Sequence, residues 1–304
     1  MLFRSGESTD TEFDALIEES NPEGEFESNA AIEAFMAALP TAWTKYVCAQ
    51  KGMATATEAA PVDVTAAVIN AGFEGALGDA TGASYWDVTK DGGNEGYQAG
   101  IYEFYNNNSF QISKTIEGLT PGYYAVKVQA MYRSGNNVPN VEAMAADTLN
   151  YAQLFANGRE VNLKNQLDLE DAPDYGYIAG AGVGQDGEAK VSYKDNAEFT
   201  VPNNRTVLAV YFEMGLYENE LQCLVAEDGV LTFGLKKAAH VDGDWCPFDN
   251  FRLLYLGTET PTAVECIKTV ADDKSADIYD LQGRRIQRAA KGLYIKAGKV
   301  YIVK

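Results

Sequence analysis

The 304-residue chain predicts an all-β fold: an antiparallel β-sandwich preceded by a short helical segment and followed by a small β domain. Three observations carry this. From about residue 66 apolar residues recur with a period of two, turn signals break the runs, and no amphipathic helix interleaves them. Composition agrees, because 18 Tyr and 13 Phe against a single His favour strands and aromatic surfaces over metal or acid–base chemistry.

Taken in order, residues 1–61 form an acidic helical part and a linker. Phe13, Leu16 and Ile17, then Ile32, Phe35, Met36 and Leu39 after a Ser28-Asn29 cap, fit two short helices. Pro40 is expected to end or kink the second, and the Ala/Thr-rich run 51–61 has no sustained apolar face. The opening Met1-Leu2-Phe3-Arg4-Ser5 matches translated sequencing-adapter codons, so a piece of a longer chain is expected.

The sandwich is expected over 66–257. In 123–133 the set Tyr124, Val126, Val128, Ala130 and Tyr132 alternates with a more polar set ending in Arg133, so Tyr132 reads as core and Arg133 as turned outward. Further strands are expected over 104–112, 153–156, 197–201, 207–214, 222–225, 230–237 and 251–256. Thr120-Pro121-Gly122, Asn157-Gly158, Pro202-Asn203-Asn204 and Asp228-Gly229 separate them as turns. A polar linker with Pro261 leads to 264–304, whose short apolar runs 278–286, 292–295 and 299–303 predict three or four small strands.

Charge excludes some functions. The net charge of −20 repels phosphate backbones and anionic lipid surfaces, so no nucleic-acid partner is expected. The last 24 residues hold seven Lys and Arg and no acid, which leaves about −27 on the rest and marks the tail as a separate unit. No apolar run approaches the roughly 18 residues a membrane helix needs. Four scattered cysteines make no metal or redox motif; Cys223 and Cys246 could meet across strands, or serve as small buried hydrophobes.

The tail, with Ile278-Tyr279-Asp280-Leu281-Gln282-Gly283-Arg284-Arg285 and Lys291-Gly292-Leu293-Tyr294-Ile295, resembles the C-terminal sorting domains of type IX-secreted bacterial proteins. The resemblance implies export and a secreted or cell-surface home. The middle region resembles galactose-binding-like jelly rolls that serve as carbohydrate-binding modules in secreted bacterial glycan-degrading proteins. Its landmarks are Ile69 to Glu74, Tyr85-Trp86-Asp87, Glu103 to Asn106, Gly118 to Tyr124, Leu154 to Gly158, Asp228 to Lys237 and Trp245 to Gly257.

That resemblance implies a jelly-roll sandwich and a structural Ca²⁺ shared by Glu74 and Asp249; the competing reading is that Asp249 and Asn250 cap a turn while Glu74 is solvated. Sugar recognition needs aromatic planes and planar polar groups, which nominates Trp86, Tyr102, Tyr105, Asn106, Tyr132, Arg133 and Trp245. Trp86 and Trp245 could instead plug the sandwich ends. The Gly-rich stretch through Gly180, Gly182 and Gly184 suggests a binding loop or a plain surface loop, because no phosphate-loop context surrounds it.

Catalysis has little to build on. His240, the only His, sits in a loop, and a glycosidase pair would fall first on Glu103 and Glu213. The expected function is therefore a non-catalytic carbohydrate-binding module with a polysaccharide partner. The alternatives are a structural or adhesive surface protein and, less favoured, a glycoside hydrolase.

Overall fold

The computed structural model describes residues 28–74, 85–98, 100–135, 148–168, 188–192, 198–261, 278–279, 285–286, 292–296 and 299–303, with backbone alone at 188–192, 198–200 and beyond 277. The chain divides after Thr260 into a large unit and a tail.

The large unit is an all-β jelly-roll sandwich of two antiparallel sheets. One sheet runs β11 (Glu218–Val225), β6 (Gly122–Ala130), β13 (Trp245–Gly257), β4 (Ile101–Tyr105), β3 (Asn94–Gln98), with the short β1 (Val62–Asp63) also on β13. The other runs β2 (Asp87–Asp91), β5 (Ser109–Ile116), β12 (Leu231–Lys237), β7 (Ala152–Ala156), β8 (Arg159–Asn162). A separate ribbon pairs β9 (Glu188–Ser192) with β10 (Glu198–Pro202). Period-two alternation sends one face of each strand between the sheets, where Phe104 stacks on Phe110 at 4.2 Å and Tyr124, Val126, Leu154, Phe233, Leu235 and Phe248 close the core.

Four expectations are corrected. The 104–112 run is two strands in different sheets, because Asn106, Asn107 and Asn108 turn the chain between them, with Asn106 at φ 55°. The 207–214 run is helix α2 (Arg205–Glu213) and not a strand. Asn204 caps it by accepting from Val207 N at 2.9 Å, and Val207, Leu208, Tyr211 and Phe212 then share one face. That face covers the outer side of the first sheet against Ile101, Met131, Tyr217 and Trp245. Arg133 is therefore buried rather than turned to solvent, since both faces of the chain around β6 are covered.

The fourth correction concerns α1 (Asn29–Gln50), one helix that runs through Pro40. Ser28 caps it, and the Thr44 hydroxyl donates back to the Pro40 carbonyl at 3.0 Å. Its second half is anchored: Val47 and Cys48 enter the core, and Trp43 Nε1 donates to Ala66 O at 2.8 Å. Ile32 and Met36, on the face expected to be apolar and inward, are exposed. Residues 51–61 also pack down, with Met53 and Ala56 against the core.

The tail is a four-stranded antiparallel sheet ordered β15 (Arg285–Ile286), β14 (Ile278–Tyr279), β16 (Gly292–Lys296), β17 (Lys299–Val303). Phe13, Leu16, Ile17, Cys266 and the Gly180 to Gly184 stretch lie outside the described residues.

Candidate functional site

β4 and β13 pair with Trp245 opposite Tyr105 and Pro247 opposite Glu103. Tyr102, Phe104 and Phe248 point into the core, so the same alternation puts Glu103, Tyr105 and Trp245 on the outer face, beside the N-terminal end of α2. Between them lies a cleft of about 270 Å³, walled by Gln98, Glu103, Tyr105, Arg133, Arg205 and Trp245.

The polar wall is held in place. Glu103 Oε2 accepts from Trp245 Nε1 at 2.6 Å, and its Oε1 lies 3.2 Å from Arg205 Nη1. Arg205 Nη2 in turn donates to Gln98 Oε1 at 3.0 Å. Gly96 makes this possible, since a β-carbon there would collide with the Arg205 guanidinium. Arg133, only 5% exposed, donates through Nε to Gly135 O at 2.9 Å, through Nη1 to Asn203 Oδ1 at 2.7 Å and through Nη2 to Gly243 O at 3.0 Å. Its guanidinium also lies 5.2 Å from the Trp245 ring centroid. Burial pushes Arg133 below its ordinary value, opposed by the fields of Tyr105, Asp244 and Glu103.

Of the residues nominated for sugar contact, the structure brings Tyr105, Arg133 and Trp245 to this cleft. Asn106 stands behind it, accepting from Gly243 N at 2.7 Å and donating its backbone N–H to Asp244 O at 2.8 Å. Trp86 and Tyr102 are elsewhere. Trp86 packs in the core on Phe73 and Phe251 with its Nε1 on Asn70 O at 2.9 Å, and Tyr102 is 2% exposed with its hydroxyl on Glu95 at 2.8 Å. Trp245 is 4% exposed with a guanidinium over its ring, so Tyr105, half-buried, is the more open aromatic face. Arg205, Gln98 and Asn203 were not anticipated. The signal was Asn204 followed by apolar residues at helical spacing, which marks a capped helix whose first turn faces the sheet.

Behind the cleft a buried network fixes the loop that leads into β13. Asp244 accepts from the Tyr132 hydroxyl at 2.7 Å and pairs with Lys237, which also donates to Asn107 O at 2.6 Å. Both members of this ion pair have side chains at most 2% exposed. Burial, then Asp244, raises the Tyr132 hydroxyl beyond its usual range.

Glu103 and Glu213 are not brought together. Glu213 is exposed at the far end of α2, about 12 Å along the helix axis from Arg205. Among the described residues the cleft wall holds one carboxylate, Glu103, and His240 is exposed in its loop. Cys223 and Cys246 are free and buried, on β11 and β13, which have β6 between them; two strand spacings of about 9.6 Å exceed the reach of a disulfide.

Glu74 and Asp249 do lie close. A β-carbon on Gly72 would stand 3.5 Å from Asn250 Oδ1, 3.8 Å from Glu74 Cγ and 4.0 Å from Asp249 Oδ1. Burial pushes Asp249 up to about 7, with the Asn250 N–H opposing and the Glu74 carboxylate adding. Asn250 Nδ2 donates to Asp249 and to Gln129 Oε1 at 2.8 Å, which turns its own carbonyl toward Gly72. Two carboxylates and an amide oxygen around glycine-lined space are donors of the kind a hard cation takes. Among the described residues no group of three or more His, Cys, Asp or Glu forms a metal cluster.

No family model matches the chain, and no curated protein does. Among solved structures, the chain is similar to TmCBM61, a carbohydrate-binding module solved in complex with β-1,4-galactotriose. Identity is 16%, the match covers 61% of this chain and 95% of that one, and the TM-score is 0.28.

Proposed function

We propose that the sandwich is a non-catalytic glycan-binding module of a secreted or surface-attached bacterial protein. The observation that carries this reading is the cleft, where the half-buried ring of Tyr105 stands among polar groups already fixed by one another. Such preorganisation lowers the ordering cost of binding, and a ring beside planar donors and acceptors matches the amphipathic faces of a sugar. Glu103, the one wall carboxylate among the described residues, is engaged by Trp245 and Arg205, which supports binding over hydrolysis. Affinity electrophoresis of the full chain through neutral and acidic polysaccharides tests it: retardation that Tyr105→Ala abolishes with the fold intact is expected. A chain that no glycan retards is a spacer or adhesive module instead, and release of sugar from a polysaccharide overturns the non-catalytic reading.

The resemblance of the tail to type IX sorting domains supports its role as an export or attachment element. Deleting residues 264–304 is expected to leave the product inside the producing cell; unchanged export overturns that role.

We also infer that Glu74, Asp249 and the Asn250 carbonyl hold a structural Ca²⁺. The ion would relieve the repulsion between two neighbouring carboxylates and tie Gly72 to the last strand. A melting temperature unchanged by EDTA overturns it.

A further inference from the structure

The charges around the cleft are not balanced. Arg205 pairs with Glu103, and Lys237 pairs with Asp244. Arg133 feels the carboxylates of both pairs, yet its three hydrogen bonds all run to neutral oxygens, those of Gly135, Asn203 and Gly243. The two carboxylates whose fields reach it, Asp244 and Glu103, are already engaged by Lys237 and Arg205, so among the described residues this cluster keeps one positive charge in excess. Among the described residues the cleft wall carries two guanidinium groups against one carboxylate, in a chain whose net charge is −20. A positive cleft on so acidic a protein does not follow from bulk composition.

The donor count points the same way. A guanidinium has five N–H groups, and Arg133 directs one from Nε, one from Nη1 and one from Nη2 at the protein. That leaves one on each terminal nitrogen, enough for an acceptor with two oxygens. Guanidinium and carboxylate match as paired forks, and such bonds are about twice as strong as neutral ones. Arg133 is also restrained: its guanidinium lies over the Trp245 ring, and its three acceptors come from separate stretches of chain. Little ordering remains to be done when a ligand arrives.

We propose that the ligand of this cleft carries a carboxylate, as a uronic acid unit does, and that Arg133 receives it while Tyr105 meets the sugar ring. The inference rests on the glycan-binding reading and narrows it to acidic polysaccharides. The volume of about 270 Å³ is slightly below the roughly 300–1,000 Å³ usual for ligand pockets, which suits one ring and its carboxylate.

The test uses the full chain and four probes: polygalacturonate, its methyl ester, neutral β-1,4-galactan and inorganic phosphate as competitor. Polygalacturonate is expected to bind at least tenfold more tightly than either its ester or galactan, more weakly as salt rises, and without displacement by an equal concentration of phosphate. Arg133→Gln is expected to erase the preference. Because that variant removes buried hydrogen bonds, methyl esterification of the ligand supplies the same comparison on unaltered protein. Equal binding of acid, ester and galactan overturns the carboxylate inference and leaves the module reading standing. Displacement by phosphate overturns the uronate assignment in favour of a general anion site. No binding to any glycan overturns the module reading and this inference with it.

Discussion

Trp245 donates its indole N–H to Glu103 across the β4–β13 pair at 2.6 Å, so the residue that opens the last strand also aims the carboxylate of the cleft wall. Trp245→Phe keeps most of the packing and removes the donor. The expected loss is about 1 kcal/mol of stability, small because Arg205 still pairs with Glu103, together with weaker glycan retention. Urea unfolding beside affinity electrophoresis measures both. Unchanged retention would show that Glu103 needs no aiming.

The Lys237–Asp244 pair makes a larger difference. Lys237→Met leaves a buried carboxylate with only the Tyr132 hydroxyl and is expected to cost about 3–5 kcal/mol. Replacing both, as Lys237→Met with Asp244→Leu, is expected to cost less than the single change, since no orphaned charge remains. A double variant less stable than the single would contradict this.

Removing the cap of α2 by Asn204→Ala should cost about 1 kcal/mol. The first turn of that helix carries Arg205, so the same change should loosen the cleft wall and reduce glycan affinity. Loss of stability with full affinity would separate the helix from the site.

Lys114 gives a pH signature. It is 8% exposed, donates to Tyr85 O at 2.6 Å, and burial lowers it to about 8, with Asp87 opposing. Between pH 8 and the ordinary lysine value the unfolded chain holds a proton that the folded chain has released, so stability rises with pH across that window. Below about pH 8 this gain is gone, because the folded form must bury the charge. The melting temperature of the wild type is expected to climb relative to Lys114→Met from pH 8 to 10; a constant difference refutes the assignment.

The cysteines should behave as hydrophobes. Burial raises Cys223 to about 12 and Cys246 beyond the usual thiol range. Neither is expected to react with a thiol reagent until the protein unfolds, and a reductant should not change the melting temperature. Rapid labelling of either in the native state would count against the packing described.

The sandwich was legible because its signal is local: alternation along β6 and β12 and the turns at Asn157-Gly158 and Asp228-Gly229 need no knowledge of distant chain. Where a distant element decides, the local pattern misleads. Arg133 looked outward by alternation, and α2, some 70 residues later, covers that face together with Leu167 and Val201. The helix itself was missed because Val207, Val210 and Tyr211 favour strands, whereas the Asn204 cap and the pairs Val207-Leu208 and Tyr211-Phe212 carry helical spacing. The tryptophans show the same limit. Trp86 and Trp245 both border loops, yet Trp86, just ahead of β2, fills the core while Trp245, on the outer face of β13, lines the cleft.

Val62 pairs with Tyr255 and Asp63 with Leu254, so residues 61 and 258 flank one short antiparallel ladder at the same end. Tension between residue 61 and residue 258 would therefore pull on one short ladder in an unzipping geometry, where bonds break one after another. Trp245 of the cleft wall stands at the opposite end of β13 from that ladder, so the first bonds to part are those farthest along the strand from the ligand.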